Sequence, residues 1–400
     1  MLCKRSQIPV AVTLFCVLSG CATPTNGPDP YLVREYTAWG DSLTAGCEDG
    51  TQPYCSYPYQ LGEMGLDRIV NNYGIGGQTS GQIAARMGAV ATHVTDSFTI
   101  PASGSVSNVT FLTGYEPCYN WGPGNTSLVQ GMIDRVTVNC ADSGDHVHFT
   151  LYRVTAGSSQ AVNSGDVWTP VLPPGTLQGL NIIWAGGNNS IVCNTVPGNP
   201  SNCQVDSDIA AMTAYVVSHG GHYLVMPILK WESAVCPSTA CNVWYAAIND
   251  WIAATYPNNY YDINAALVAA YNPNNPVDVI DHANDDPPFS LHAFDASGTL
   301  AAAVSSTTTC AITFGTNISG RVAVLGSEYI YVTGGSDGAY TCTRGYAGST
   351  AATYASGQSW TSADFVHLSG DGSKNTNNPN GTGYTVVAKS IEKWIEQHQQ

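Results

Sequence analysis

Four short segments of this chain combine residue types that could carry out acyl transfer. Gly-Asp-Ser occupies 40–42, a glycine-rich run occupies 72–79, Gly-Gly-Asn-Asn occupies 186–189, and Asp364 precedes His367 by three residues. In this order they offer a nucleophile, a backbone donor, a side-chain donor, and a base with a carboxylate that orients it. Acyl transfer needs these groups and few others. No segment is specific alone, so the hypothesis depends on all four together.

Ser42 is the candidate nucleophile because it follows, after Gly40 and Asp41, a strand-like run from Val33 to Trp39. A serine at the end of a strand can present its hydroxyl above the sheet edge, while its own N–H faces a developing oxyanion. The segment is not the Gly-x-Ser-x-Gly elbow of other hydrolases. A plain Asp-Ser turn or helix cap is the simpler alternative.

Gly77 and Asn188 are the candidate oxyanion donors. Gly77 lies in a loop that opens a predicted helix, where glycine allows close backbone approach and the helix N-terminus favours negative charge. Asn188 follows an apolar run typical of a buried strand, and its amide could donate to the same oxyanion. The alternatives are a phosphate-binding loop or tight turn at Gly77, and ordinary turn residues at 188–189.

Asp364 and His367 are the candidate acid–base pair. On a loop, their spacing lets the carboxylate accept the Nδ1–H of the imidazole while Nε2 faces the serine. Asp281 with His282, and the region around His292, are competing candidates. The terminal helix predicted after His367 favours the pair of Asp364 and His367.

Strand-like and helix-like runs alternate along the chain, which predicts an α/β fold with a parallel sheet covered by helices. The predicted strands span 33–39, 68–72, 180–185, 222–228 and 260–263, and the predicted helices span 57–66, 78–90, 206–219, 242–256 and 383–397. Two stretches, 94–177 and 299–360, interrupt this alternation because they contain strand-like runs without helices between them. We interpret them as β-rich insertions into one domain made of 31–93, 178–298 and 361–400.

The first twenty residues predict an export signal. Lys4 and Arg5 precede a short apolar stretch that ends at Leu18-Ser19-Gly20-Cys21. This ending resembles the bacterial lipoprotein signal, which implies lipidation of Cys21 and attachment to the cell envelope through that lipid. An ordinary secretory signal is the alternative, with a secreted or periplasmic protein as its product. Residues 21–30 are typical of a flexible tether.

The cysteines favour an oxidising compartment. Beyond the signal and Cys21, ten remain, and they fall into five pairs of sequence neighbours. These candidates for disulfide bonds are Cys47 with Cys55, Cys118 with Cys140, Cys193 with Cys203, Cys236 with Cys241, and Cys310 with Cys342. No Cys or His cluster has the spacing of a zinc site, so we expect neither metal nor cofactor.

Composition excludes some partners. Apolar residues make up 44% of the chain, enough for a large core, while charged residues make up only 10%. Without Lys4 and Arg5, 11 basic residues face 29 acidic ones, a net charge of −18. Such acidity argues against binding to nucleic acid or to an anionic membrane surface. A neutral polysaccharide or a small neutral ester remains compatible with it.

With these motifs, the chain resembles the SGNH hydrolase superfamily, also called GDSL esterases. The resemblance implies a flavodoxin-like three-layer sandwich. It also implies Ser42 as nucleophile, Gly77 and Asn188 as oxyanion donors, and Asp364 and His367 as the remaining triad members. It covers the sheet-and-helix part of the chain and neither β-rich insertion.

Two features depart from the family pattern. Asn189 stands where the family usually has Asp, and the stretch from Leu368 to Gly383 is longer than the usual link to the final helix. The first departure could alter the geometry of the loop without removing the Asn188 amide. The second leaves the local geometry after the histidine open.

The expected function is a serine esterase, most simply one that removes short acyl groups from carbohydrate. Trp121, Trp168, Trp231 and Trp244 suit a sugar ligand if they are exposed, although core packing is an equal alternative for each. A lipase-like or general carboxylesterase is the second hypothesis. The third is a carbohydrate-binding surface protein without catalysis on a hydrolase scaffold.

Overall fold

The computed structural model describes residues 35–46, 56–65, 68–121, 128–189, 204–230, 239–364, 366–370 and 378–398. The predicted signal, the lipidation site Cys21 and the tether lie outside these ranges. So do Cys47, Cys55, Cys193, Cys203, Cys236 and the side chain of Cys241. Within the described ranges, no helix combines the length and apolar character needed to span a bilayer.

In the described structure, strands and helices alternate over 35–87 and 180–283, strands dominate 92–170 and 296–362, and one helix follows over 383–398. The strands are β1 Glu35–Gly40, β2 Ile69–Gly74, β3 Thr92–His93, β4 Phe98–Ile100, β5 Ser105–Val109, β6 Val129–Ile133, β7 Val136–Asp142, β8 Phe149–Arg153, β9 Gln160–Val162, β10 Val167–Pro170, β11 Leu180–Trp184, β12 His222–Val225, β13 Ala296–Thr299, β14 Arg321–Leu325, β15 Glu328–Ser336, β16 Ala339–Thr343 and β17 Ser359–Ser362. The helices are α1 Ser42–Ala45, α2 Tyr57–Met64, α3 Ser80–Met87, α4 Val205–Ser218, α5 Thr239–Thr255, α6 Ile263–Ala269, α7 Pro276–Ala283 and α8 Gly383–His398.

A four-stranded parallel sheet, in the order β12-β11-β1-β2, forms the centre of the α/β part. Alternate residues of its strands enter different cores because side chains alternate across a sheet. Ala38 and Ile182 join a core with α2, α6 and α8. Trp39 and Ile183 join a second core with α3, α4 and α5. The prediction of an α/β fold with a parallel sheet is therefore confirmed.

The remaining sheets are antiparallel and have their own cores. The sheet β3-β10-β6-β7-β8-β5 and the ribbon β4-β9 form what we call the first β unit, and β13-β17-β14-β15-β16 forms the second β unit. Both overlap the predicted insertions, whose boundaries stay predictions. Cys118–Cys140 lies in the first unit and Cys310–Cys342 in the second, which confirms those two predicted disulfides.

The predicted strand at 260–263 is wrong. Tyr260 makes only an isolated parallel bridge to Val225, and helix α6 begins at Ile263. A helix forms here instead of a strand because Asp262 caps its N-terminus, accepting the N–H of Ala265 at 3.0 Å. Helix α7 was also not predicted, although its Asn-Pro start at 275–276 is a recognisable helix signal.

Candidate active site

Ser42 lies at the carboxyl edge of the parallel sheet, at the start of the one-turn helix α1. Strand β1 ends at Gly40, where a Cβ would approach the Trp184 carbonyl to 2.6 Å, so the turn requires glycine. Asp41 caps α1 by accepting the N–H of Leu43 at 2.9 Å. The helix-cap alternative thus describes Asp41 correctly, and it leaves the Ser42 hydroxyl available for another partner.

That partner is His367. Its Nε2 lies 2.9 Å from the Oγ of Ser42, and its Nδ1 lies 2.5 Å from Oδ2 of Asp364. The other oxygen of Asp364 accepts the N–H of Val366 at 2.7 Å. With Nδ1–H donating to the carboxylate, Nε2 carries the lone pair that can accept the serine proton. Folding therefore joins three residues from opposite ends of the chain into one continuous hydrogen-bonded series.

The electrostatics keep the carboxylate of this series ionised. Burial alone would raise the pKa of Asp364, but the hydrogen bond and charge of His367, the Val366 N–H and the charge of Arg321 lower it to about 2. An ionised Asp364 fixes the tautomer of His367 and stabilises the imidazolium that proton transfer would create.

The loop that carries the acid–base pair is held against the segment before β13. Ala293 donates its N–H to the His367 carbonyl at 2.9 Å, and Asp364 donates its backbone N–H to the Ala293 carbonyl at 2.7 Å. Ser369 then accepts the N–H of Gly383 through Oγ at 2.9 Å and the N–H of Tyr384 through its carbonyl at 3.0 Å. Ser369 thereby ties the loop directly to the start of α8, so the long stretch after His367 does not displace it.

The side chains of the competing acid–base candidates contact backbone groups of neighbouring segments. Buried His292 places Nδ1 3.2 Å from the His367 carbonyl, and burial lowers its pKa. Asp281 accepts the N–H of Phe289 at 2.8 Å, while the Nδ1 of His282 lies 3.1 Å from a backbone carbonyl. Where side chains are described, no group of three or more His, Cys, Asp or Glu residues is arranged to hold a metal ion.

Gly77 lies in the loop that passes beside Ser42 and leads into α3. A Cβ built on the preceding Gly76 would lie 3.9 Å from the Cβ of Ser42. Gly77 itself has φ of +78°, and a Cβ there would collide with the Cβ of Trp121, so this position requires glycine. We call residues 75–78, which precede α3, the oxyanion loop, after the role predicted for Gly77.

Asn188 links this loop to the serine turn. Its Nδ2 donates to Oδ2 of Asp41 at 3.2 Å and to the carbonyl of Gln78 at 3.0 Å. Both protons of the amide therefore have protein acceptors, and donation to an oxyanion requires one bond to be shared or released. Burial raises the pKa of Asp41 to about 6, against the opposing effects of the Leu43 N–H and the charge of His367.

Asn189, which stands where the SGNH pattern usually has Asp, binds the start of α3. Its Oδ1 accepts the N–H of Ser80 at 2.9 Å, and its Nδ2 donates to the Ser80 hydroxyl at 3.1 Å. That hydroxyl gives its own proton to Asp208 at 2.6 Å. An amide suits this position because the Ser80 oxygen needs a donor, and an ionised carboxylate would supply none.

Arg86, which was not identified from the sequence, joins the oxyanion loop to the end of β1. Its Nε donates to Oε1 of Gln78 at 2.9 Å, its terminal nitrogen donates to the Gly40 carbonyl at 3.3 Å, and its guanidinium lies over the Trp39 ring. Burial lowers its pKa to about 9. A single arginine on the apolar surface of a predicted helix was the available signal.

For two of the four tryptophans that would suit a sugar ligand if exposed, the core-packing alternative is correct. Trp168 and Trp244 are buried in separate cores, and Trp231 lies outside the described residues. Trp168 is buried because Gly131 on β6 leaves room for its ring; a Cβ at Gly131 would collide with it. Only Trp121 of the described three is exposed, at 64%.

Comparison with known proteins adds little to these residues. No family model matches the chain, and no curated protein is similar to it in sequence. One similar solved structure is a protein assigned as a lipolytic protein of the G-D-S-L family from Desulfitobacterium hafniense DCB-2. It is 14% identical with a TM-score of 0.30, and the match covers 58% of this chain and 79% of that one. A TM-score this low supports no conclusion about function.

Proposed function

We propose that this protein is a serine esterase of the SGNH type, built on that family's three-layer sandwich, which hydrolyses carboxylic esters through an acyl-enzyme. The observation that supports it most is the series from Ser42 through His367 to Asp364, with its 2.9 Å and 2.5 Å contacts. A serine, an imidazole in the accepting tautomer and an ionised carboxylate in this geometry form a nucleophile with its base.

The proposed reaction has two halves. Nε2 of His367 takes the Ser42 proton while Oγ attacks the ester carbonyl. The N–H groups of Ser42 and Gly77, with the Asn188 amide, stabilise the oxyanion. The alcohol leaves with the proton held by His367, and a water molecule activated by the same imidazole hydrolyses the acyl-enzyme.

For the substrate, we propose short acyl esters, chiefly acetyl esters, carried by a neutral carbohydrate. Trp121 is exposed beside the oxyanion loop, which supports a ring-shaped alcohol part. Few residues of the chain are charged and most of those are acidic, which supports a neutral one. We further propose that the protein is exported and held at the cell envelope by lipid on Cys21. Its partners would then be acylated polysaccharides or small esters outside the cytoplasm.

The test is an esterase assay on the chain that begins after Cys21, with nitrophenyl esters of rising acyl length. We expect a preference for acetate, and a loss of turnover on the order of 10⁶-fold in Ser42→Ala. Full activity in a folded Ser42→Ala variant would contradict the mechanism. A preference for long chains would favour a lipase-like enzyme instead.

A fluorophosphonate probe provides a second measurement that does not depend on the ester chosen. We expect it to label the chain at Ser42 and to leave a folded Ser42→Ala variant unlabelled. Absence of labelling in the folded unmodified chain would favour a binding protein without catalysis.

A further inference from the structure

Trp121 is the exposed side chain that the first β unit places against the oxyanion loop. The backbone N–H of Trp121 donates to the Gly76 carbonyl at 3.1 Å, and its Cβ occupies the space that a side chain at Gly77 would need. A Cβ built on Gly76 would lie 3.9 Å from the Cβ of Ser42, so the same loop borders both Trp121 and the candidate nucleophile. The 64% exposure of Trp121 leaves its indole accessible from solvent.

One face of the indole is already covered. The ring of His146 stacks on it with centroids 4.7 Å apart and planes 14° apart. The Tyr119 ring lies 5.3 Å from the same imidazole. The exposed surface of Trp121 is therefore its opposite face and edges, backed by a stacked partner.

A buried carboxylate holds this arrangement in place. The side chain of Asp142 is 3% exposed. Its Oδ2 lies 3.1 Å from Nδ1 of His146, and its Oδ1 accepts the backbone N–H of His146 at 3.3 Å. Its Oδ2 also accepts the N–H of Asn120, the residue before Trp121, at 3.0 Å. His146 adopts a φ of +61°, a left-handed backbone conformation that non-glycine residues keep only when their surroundings fix it. Asp142 thus fixes the backbone on both sides of the stacked pair.

The support extends to the oxyanion loop itself. The amide of Gln78 donates to the carbonyls of Pro117 at 3.3 Å and Tyr119 at 3.0 Å. The disulfide Cys118–Cys140 fastens the same segment to β7. The aromatic group and the loop therefore form one connected structure, which is what a pre-organised binding subsite requires.

We propose that Trp121, backed by His146 and Tyr119, is a sugar-binding subsite that holds a neutral sugar ring of the ester's alcohol part. The flat indole face matches the C–H face of a pyranose. The imidazole Nε2, for which the described residues provide no partner, and the Tyr119 hydroxyl can bind sugar hydroxyls. The proposal rests on the proposed esterase function and adds the residues that select its substrate.

The test begins with binding, which does not require catalysis. Neutral xylo- and cello-oligosaccharides without acetyl esters are titrated into the folded Ser42→Ala chain, and affinity is measured by calorimetry and tryptophan fluorescence. We expect at least one series to bind, and Trp121→Ala to weaken that binding about 10-fold or more. Tyr152→Ala, which removes another exposed aromatic ring from the first β unit, is the matched control and should bind normally.

The second step compares two esters on the active chain. Trp121→Ala should lower kcat/KM on the matching acetylated oligosaccharide about 10-fold more than on nitrophenyl acetate, mainly through KM. Equal losses on both esters would mean that Trp121 only shapes the oxyanion loop, and this would overturn the subsite. Failure of every oligosaccharide to bind would overturn it as well. Sugar binding that depends on Trp121 in a chain without esterase activity would keep the subsite and refute the esterase.

Discussion

Two Asp-x-x-His segments of this chain, 145–148 in the first β unit and 364–367 after β17, fold into nearly the same local pair. The Nδ1 of the histidine lies 2.6 Å from the carboxylate in the first pair and 2.5 Å in the second. In both pairs the other carboxylate oxygen accepts a backbone N–H two residues later, from Val147 or Val366. The spacing alone is thus enough to make an oriented imidazole, because the aspartate closes its own turn.

The two pairs differ in what surrounds them. Asp145 and His148 lie between β7 and β8 with side chains 54% and 42% exposed, whereas Asp364 and His367 are 13% and 19% exposed. Only the second histidine of the two contacts a serine hydroxyl in the described structure. Local sequence therefore builds the pair, while the tertiary fold determines whether a serine hydroxyl lies beside it.

The largest contrast should come from removing each imidazole. His367→Ala should lower esterase turnover on the order of 10⁶-fold, because the serine loses its base. His148→Ala, the matched variant in the exposed pair, should leave turnover within about 2-fold, since surface changes away from a site have small effects. The measurement is kcat on nitrophenyl acetate with folding checked by circular dichroism. Comparable losses in both variants would refute the assignment of the base.

The carboxylates should repeat the contrast at a smaller scale. Asp364→Asn should lower kcat about 10⁴-fold, because an amide no longer fixes the tautomer that accepts the serine proton. Asp145→Asn should have no measurable effect on kcat. Proton NMR of the imidazole resonances would show the changed tautomer of His367 directly. Unchanged kcat in a folded Asp364→Asn chain would remove Asp364 from the proposed mechanism.

Asn188 tests the other side of the candidate nucleophile. Asn188→Ala should lower kcat about 10²–10³-fold with little change in KM, as loss of one oxyanion donor does. The competing interpretation is that the amide only joins Asp41 to Gln78, as its present bonds do. A variant with normal kcat and a reduced free energy of unfolding would support that structural role. Urea denaturation alongside steady-state kinetics separates the two.

Much of this site could be predicted because its parts are local. The strand before Ser42, the turn at Gly77 and the Asp364–His367 spacing each follow from a few neighbouring residues. Order along the chain then suggested their assembly at one edge of a parallel sheet. The same local logic could not distinguish residues 364–367 from 145–148, because it contains no information on which loop meets Ser42.

Contacts between distant elements could not be predicted. Burial of Trp168 depends on β10 pairing with β6 at Gly131, and nothing near Trp168 in the sequence indicates that pairing. The position of Trp121 against Gly77 depends on how the first β unit folds back on the α/β part. The bonds of Asn188 to Asp41 and Gln78 likewise require three separate segments to meet.

The smallest predicted effect is a difference in acid stability between the two pairs. The pKa of Asp364 falls from 3.8 to about 2 on folding, against the effect of burial, mainly because His367 donates to it. Between these pH values the unfolded chain binds more protons, so the free energy of unfolding falls as pH drops. This carboxyl should contribute about 2 kcal/mol of that fall.

Urea denaturation between pH 2 and pH 5 measures this contribution. Asp364→Asn should show a shallower loss of stability with falling pH than the unmodified chain does. The hydrogen bond from His148 also lowers the pKa of Asp145, but that pair is exposed and screened by solvent, so Asp145→Asn should change the slope less. Equal slopes in the unmodified and Asp364→Asn chains would show that the buried pair does not stabilise the fold through its ionised carboxylate.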